Sequence, residues 1–202
     1  AIPHGLSAGL QRGALEEGAD LRIVAVVDGD RDADAAEGGT SDSLGRALGL
    51  GDMSTITGQA GDTVGIGRVG RLAEPMALYD LASALGQILP QTAGGIRVSG
   101  EPDQMVQSVA LCTGAGDSLL GHPQVRSADV YITADLRHHP ASEAQQQRRS
   151  VGGPALIDLS HFASEWFFLD GVADTLRAEL PGVRVTVSEI VTDPWDFVVL
   201  PG

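Results

Sequence analysis

Apolar positions along the chain follow the period of strands in some stretches and of helices in others. Residues 21–30, LRIVAVVDGD, form a branched-aliphatic run closed by acid and glycine, the pattern of a buried strand. The preceding LQRGALEEGA predicts a short helix that stops near Gly18. SDSLGRALGL predicts another, capped at its start by Ser41 or Asp42 and ended near Gly49. DTVGIGRVGRL alternates glycine with branched residues, as a strand with bulges or tight turns would. EPMALYDLASALGQIL places Met76, Leu78, Leu81, Ala82, Leu85, Ile88 and Leu89 at helical spacing, with Pro75 in the first turn and Pro90 at the end.

Beyond Pro90 strand and helix patterns alternate. GGIRVSG, VQSVALCT, ADVYITAD, GPALIDLS and VRVTVSEIV read as strands. GAGDSLLGHPQVRS is a loop opening into a short helix, HHPASEAQQQRR a polar helix, and ASEWFFLDGVADTLRAEL the last long helix. The order predicts an α/β fold with sheets flanked by helices. EGGTSDS and GDMSTITGQAGD are the expected loops.

Composition narrows the function classes. The 202 residues can bury a sizeable core, but aromatics are only 4%, so aliphatic residues must fill it. Asp and Glu number 27 against 13 basic residues, all of them arginine, for a net charge of −14. This balance repels phosphate backbones and argues against nucleic-acid binding. Cys112 is the single cysteine, so no intrachain disulfide forms. No apolar run reaches the ~18 residues of a membrane span, and the chain opens on AIPHGL without a charged, apolar leader. The expectation is a cytoplasmic globular protein with no membrane partner.

Chemistry concentrates after residue 110. In DLSHFASEW, where a strand turns into a helix, His161 and Glu165 stand four residues apart and share one helical face. An imidazole nitrogen beside a carboxylate oxygen suits zinc, iron or manganese; a surface ion pair is the alternative. CTGAGDSLL puts Gly114 and Gly116 between a strand and a helix, as a phosphate cradle or simply as a tight turn. TADLRHHPASEA offers Asp135, His138 and His139, though adjacent histidines diverge on a helix. DGDRDAD crowds Asp28, Asp30, Asp32 and Asp34 into an acidic loop without the pattern of a calcium-binding hand. DLSHF lacks the GxSxG turn of a serine hydrolase.

Taken in order, VALCTGAGDSLL, ADVYITADLRHHPASEA, GGPALIDLSHFASEW and VTVSEIVTDPW resemble the dinuclear-metal-centre hexameric protein family, the type-two GTP cyclohydrolase I homologues. GIGRVGRLAEPMALYDLASAL and AAEGGTSDSLGRALGL are similar to that family's middle segments, and the likeness runs from about Asp34 to Trp195. The resemblance implies two related lobes with a metal cleft between them, here an N-terminal lobe of residues 1–72 and a C-terminal lobe of residues 73–202. It implies one or two divalent metals per chain, held by His161, Glu165 and Asp34. Asp30 stands where the family's HTNxD segment carries its histidine. Asp135 and His139 match catalytic residues lining the cleft. Gly114 and Gly116 would receive phosphate.

The family's THHPL motif has no counterpart: no pair of histidines precedes residue 138. Either the chain runs directly from ALEEGADLRIV to DGDRDAD, or AIPHGL is what remains of the motif and leaves His4. Two functions follow from the resemblance. One is a metal-dependent hydrolase or cyclohydrolase acting on a nucleotide-like substrate. The other is a non-catalytic binding scaffold that keeps the ring, expected as a homo-hexamer, and a degenerate metal site.

Overall fold

A computed structural model describes residues 20–23, 35, 37–58, 62 and 64–201. The helix expected at residues 10–19, most of the strand expected at 21–30, and the acidic loop with Asp30 and Asp34 lie outside the described residues.

Six strands form the main sheet in the spatial order β2–β3–β5–β6–β7–β4. They are β2 (Gly51–Thr55), β3 (Arg68–Ala77), β4 (Arg97–Ser99), β5 (Met105–Ala115), β6 (Val130–Ala134) and β7 (Ala155–Leu159). β5, β6 and β7 run parallel, while β2, β3 and β4 pair antiparallel to their neighbours. A parallel pair requires a crossover, supplied by α3 (Pro123–Ser127) between β5 and β6 and by α4 (His138–Val151) between β6 and β7. Apart from the sheet, β1 (Asp20–Ile23) pairs parallel with β8 (Arg184–Val187).

The central strands are buried on both faces, and their side chains sort by the two-residue period of a strand. Val109, Leu111, Val130, Ile132, Ala155 and Ile157 join one core, against Leu44 of α1 (Thr40–Ala47) and Leu78, Leu81 and Leu85 of α2 (Leu78–Ile88). Ala110, Cys112, Tyr131 and Leu156 point the other way, toward Val125 of α3. A smaller core of Val172, Ala173, Leu176 and Val185 sits where α6 (Phe168–Glu179) meets β8. Among the described residues no helix is long and apolar enough to cross a membrane.

Most of the expected elements within the described residues are present with shifted bounds. The loop expected at residues 51–62, however, opens as strand β2, paired antiparallel with β3, and the loop expected at 37–43 gives way to α1 at Thr40. α1 begins at Thr40, so Ser41 and Asp42 lie in its first turn and Gly39 is the cap. Its far end closes as expected at Gly49, whose φ of +70° suits glycine. There Gly49 N–H donates to Arg46 O and Leu50 N–H to Gly45 O, both at 3.0 Å. Pro75 belongs to β3 rather than to a helical turn, in the stretch between Arg71 and Met76 where pairing with β5 slips. Proline is tolerated at such an irregularity because no ladder bond is needed from it. α2 therefore starts at Leu78. The last long helix is two, α5 (His161–Trp166) and α6, with Phe167 between them. The lobe boundary expected after residue 72 falls inside β3, which pairs with β5, so both sides of it share one sheet.

Asp42 ties α1 to that sheet. Its Oδ1 accepts from Arg68 Nε at 3.2 Å, and its Oδ2 from Arg46 Nε at 2.7 Å and Gly38 N–H at 3.0 Å. Burial works against ionisation of this carboxyl, but Arg46, the Gly38 N–H and Arg68 together hold it below the usual carboxylate range.

Candidate metal centre

The C-terminal ends of three parallel strands meet at one edge, where open α/β sheets commonly place their ligands. Ala115 of β5 pairs with Ala134 of β6, and Ala134 with Leu159 of β7. The residues just beyond or beside these positions, Gly114, Asp135 and His161, are thereby neighbours although up to 47 positions separate them in the chain.

β7 is a fully buried apolar run broken only by Asp158, and Ser160 ends it by capping α5, its Oγ accepting from Ala163 N–H. His161 is the first helical residue. Its Nε2 lies 3.0 Å from Glu165 Oε1, one turn on, and its Nδ1 lies 2.7 Å from Asp135 Oδ2. The imidazole is 29% exposed and the Glu165 side chain 16%, while Asp135 stands at the solvent edge at 58%. The hydrogen bond to Glu165 pushes the histidine up to about 9; burial opposes this, and Asp135 adds to it.

Ser164 locks the arrangement. Fully buried, it donates from Oγ to His161 O and accepts from Gly114 N–H, both at 2.9 Å, riveting α5 to the end of β5. Thr133 Oγ1 donates to Gly114 O at 3.1 Å. Gly114 thus has both backbone groups engaged within the protein, and the buried Gly116 accepts the Tyr131 O–H at 2.9 Å. The phosphate-cradle expectation meets a different geometry: the Gly114 N–H is committed to Ser164, and glycine there is favoured by a φ of +68°. A Cβ on Gly114 would come within 2.5 Å of Glu165 Oε1, and one on Gly116 within 2.3 Å of Tyr131 Oη.

His139 is exposed in the first turn of α4, its ring edge-on to that of His138 with centroids 5.3 Å apart. Among the described residues no hydrogen bond or ion pair joins it to the His161 cluster. Asp135 lines the cavity and also meets His161 Nδ1, so it can orient the imidazole from the cleft side. Sequence reasoning missed Ser164, whose only signal is a polar residue on the buried face of HFASEW.

His161 and Glu165 supply one nitrogen and one carboxylate donor of the kinds a divalent cation takes. Once the Nε2 proton is given up, Asp135 accepting from Nδ1–H would keep the remaining proton there, the usual carboxylate support of a metal-binding histidine, and leave the Nε2 lone pair beside Glu165. Nε2 and Oε1, 3.0 Å apart, are close enough to share an ion with bonds of about 2.0–2.2 Å. Among the described residues no three such side chains surround one point, and Asp30 and Asp34, the other expected ligands, lie outside them. A cavity of about 680 Å³ opens beside the cluster, lined by His161 and Asp135, by Arg97, and by Trp195 and Phe197.

Residues 32–194 match the family Duf34/NIF3 (NGG1p interacting factor 3). A Streptomyces coelicolor protein named GTP cyclohydrolase 1 type 2 homolog is 41% identical over 173 residues, covering 81% of this chain and 58% of its own. A Mycobacterium leprae protein of the same name is 44% identical over 147 residues, 72% of this chain and 37% of its own. The chain therefore spans less than two thirds of the length of these curated relatives. Among solved structures, a Bacillus cereus protein related to NIF3 superposes with a TM-score of 0.68 at 20% identity, over 83% of this chain and 72% of that one. A Thermus thermophilus protein does so with a TM-score of 0.60 at 28% identity, over 80% and 59%.

Proposed function

The chain belongs to the Duf34/NIF3 family, and we propose that within it His161 and Glu165 hold a divalent cation that serves hydrolysis of a nucleotide-like substrate. The observation that carries this reading is the line Asp135–His161–Glu165, with contacts of 2.7 and 3.0 Å on the two ring nitrogens. The shared name of the relatives, GTP cyclohydrolase 1 type 2 homolog, supports the nucleotide. Zinc, iron and manganese all suit a nitrogen–carboxylate pair, and Asp34 and Asp30 complete the proposed ligand set.

A cation so held supplies Lewis acidity toward a substrate oxygen and activates water near neutral pH. The protein residues divide the remaining work. Asp135 fixes the tautomer and orientation of His161. Ser164 holds the first turn of α5 against β5, so the two donors keep their spacing. Glu165 adds the negative charge that retains the cation. The proposal extends to a cytoplasmic homo-oligomer with closed symmetry, a hexamer built from dimers.

Elemental analysis of the purified protein, paired with GTP turnover in manganese or zinc, tests the reading. Metal lost in His161→Ala and turnover lost with it support the enzyme; metal content unchanged by that substitution removes it. One feature favours a second reading, a binding scaffold with a degenerate site: the resemblance sets Asp30 where the family's segment carries a histidine. Metal retained with no nucleotide turnover would select the scaffold.

A further inference from the structure

One wall of the cavity beside His161 comes from the C-terminal segment, and its aromatic residues are not used in the core. The chain has two tryptophans and four phenylalanines in all, yet Trp195 is 71% exposed and Phe197 79%. Both line the cavity that contains His161 and Asp135. The segment is fixed to the metal centre by one side chain. Asp193 Oδ2 accepts the Ser160 O–H, and Asp193 Oδ1 accepts Trp195 N–H at 3.0 Å. Ser160 is the cap of α5, immediately before His161. The turn that presents the indole is therefore tied to the helix that carries the metal donors.

The same cavity has a cation on its lining. Arg97 pairs through Nη2 with Asp158, whose other oxygen accepts Leu136 N–H at 2.9 Å. The guanidinium is held in place but 68% exposed, and its remaining N–H groups form a fork suited to phosphate. An aromatic face, an anchored arginine and a metal pair on one cavity are complementary to a flat ring bearing an anionic group.

We propose that residues 192–198 form the ring-binding wall of the substrate site, Trp195 stacking the base and Arg97 meeting the phosphate. This inference rests on the nucleotide-like reading above and names the residues that recognise the substrate. Base–aromatic stacking typically changes affinity by about tenfold or more. Trp195 is thereby a binding residue that leaves the cation untouched.

Calorimetry with GMP, guanosine and ribose 5-phosphate, on manganese-loaded protein, tests it. GMP and guanosine should bind and ribose 5-phosphate bind more weakly than GMP. Trp195→Ala should weaken GMP at least about tenfold at unchanged metal content, with Trp195→Phe retaining most of the affinity. Arg97→Gln should weaken GMP while sparing guanosine. In a Trp166→Phe background, GMP should quench the fluorescence of Trp195. GMP affinity unchanged in Trp195→Ala overturns the wall and leaves the nucleotide reading intact. Wild-type protein that holds manganese but binds neither GMP nor guanosine overturns the nucleotide reading, and the wall with it. A Trp195→Ala variant that dissociates the oligomer at unchanged GMP affinity assigns the segment to a subunit contact and overturns the proposal.

Discussion

Gly114 lies against Glu165 with no room for a methyl group between them: a Cβ on the glycine would stand 2.5 Å from Glu165 Oε1 and 3.3 Å from His161 Nε2. The glycine also holds a φ of +68°, where an L-residue costs about 1–2 kcal/mol. Gly114→Ala should therefore do two things together, lower the melting temperature and displace the donor pair. Loss of at least about tenfold in metal affinity, measured by chelator competition, is expected. An alanine variant that binds metal like the wild type would show that Glu165 has space elsewhere.

Asp135 has a φ of +54°, uncommon for a residue with a side chain but tolerated by Asp and Asn. Asp135→Asn thus keeps the backbone while removing the charge opposite Nδ1. Supporting carboxylates of this kind commonly contribute about 10–100-fold to metal affinity, and a loss in that range is expected by calorimetry. A variant as tight as the wild type would reduce Asp135 to a surface contact.

A histidine pushed up to about 9 must give up a proton before Nε2 can bind a cation. Between pH 7 and 9 metal affinity should rise, approaching about tenfold per pH unit, with proton release. The metal-free protein should behave in the opposite sense. A raised histidine pKa stabilises the fold fully below its unfolded value of about 6.5, and that contribution is lost as pH rises through about 9. Melting of metal-free protein across this window, against His161→Gln, checks it. Equal pH dependence in both would place the titration elsewhere.

The Asp42–Arg68 pair, with side chains 6% and 4% exposed, makes a separate prediction. Arg68→Met strips Asp42 Oδ1 of its guanidinium while Arg46 and the Gly38 N–H keep Oδ2, so it should cost about 1–3 kcal/mol in urea denaturation. Asp42→Asn combined with Arg68→Met should recover part of that loss. Because Asp42 is held below the usual carboxylate range, its contribution is present above about pH 3.9 and lost as pH falls below it. A single Arg68→Met effect under about 0.5 kcal/mol would mean that water reaches the pair.

The part of the site carried by local order was legible in the sequence. An aliphatic run, a capping serine and a four-residue spacing place His161 and Glu165 on one helical turn without any knowledge of the fold. Asp135 and Gly114 reach them only through the parallel register of β5, β6 and β7, which hydrophobic period does not encode; the resemblance supplied Asp135. Pro75 reads as helical because Met76, Leu78 and Leu81 satisfy a helical spacing. In the fold Met76 still pairs with Val106, and the helix begins two residues later. The break at Phe167 is hidden because apolar residues continue across it. Trp195 is legible in the sequence only as the end of the family-like VTVSEIVTDPW stretch; its place beside a cavity shows only in the fold.

α5 separates chemistry from architecture within six residues. Phe162, Ala163 and Ser164 are buried, while His161 and Glu165 stand at the rim. Mutation can therefore erase the donors without touching the packing that holds the helix to the sheet, and the reverse change needs only one or two substitutions. A lineage built on this helix can gain or lose its two rim donors while its fold persists. Shape alone is then a poor record of which descendants keep the donors.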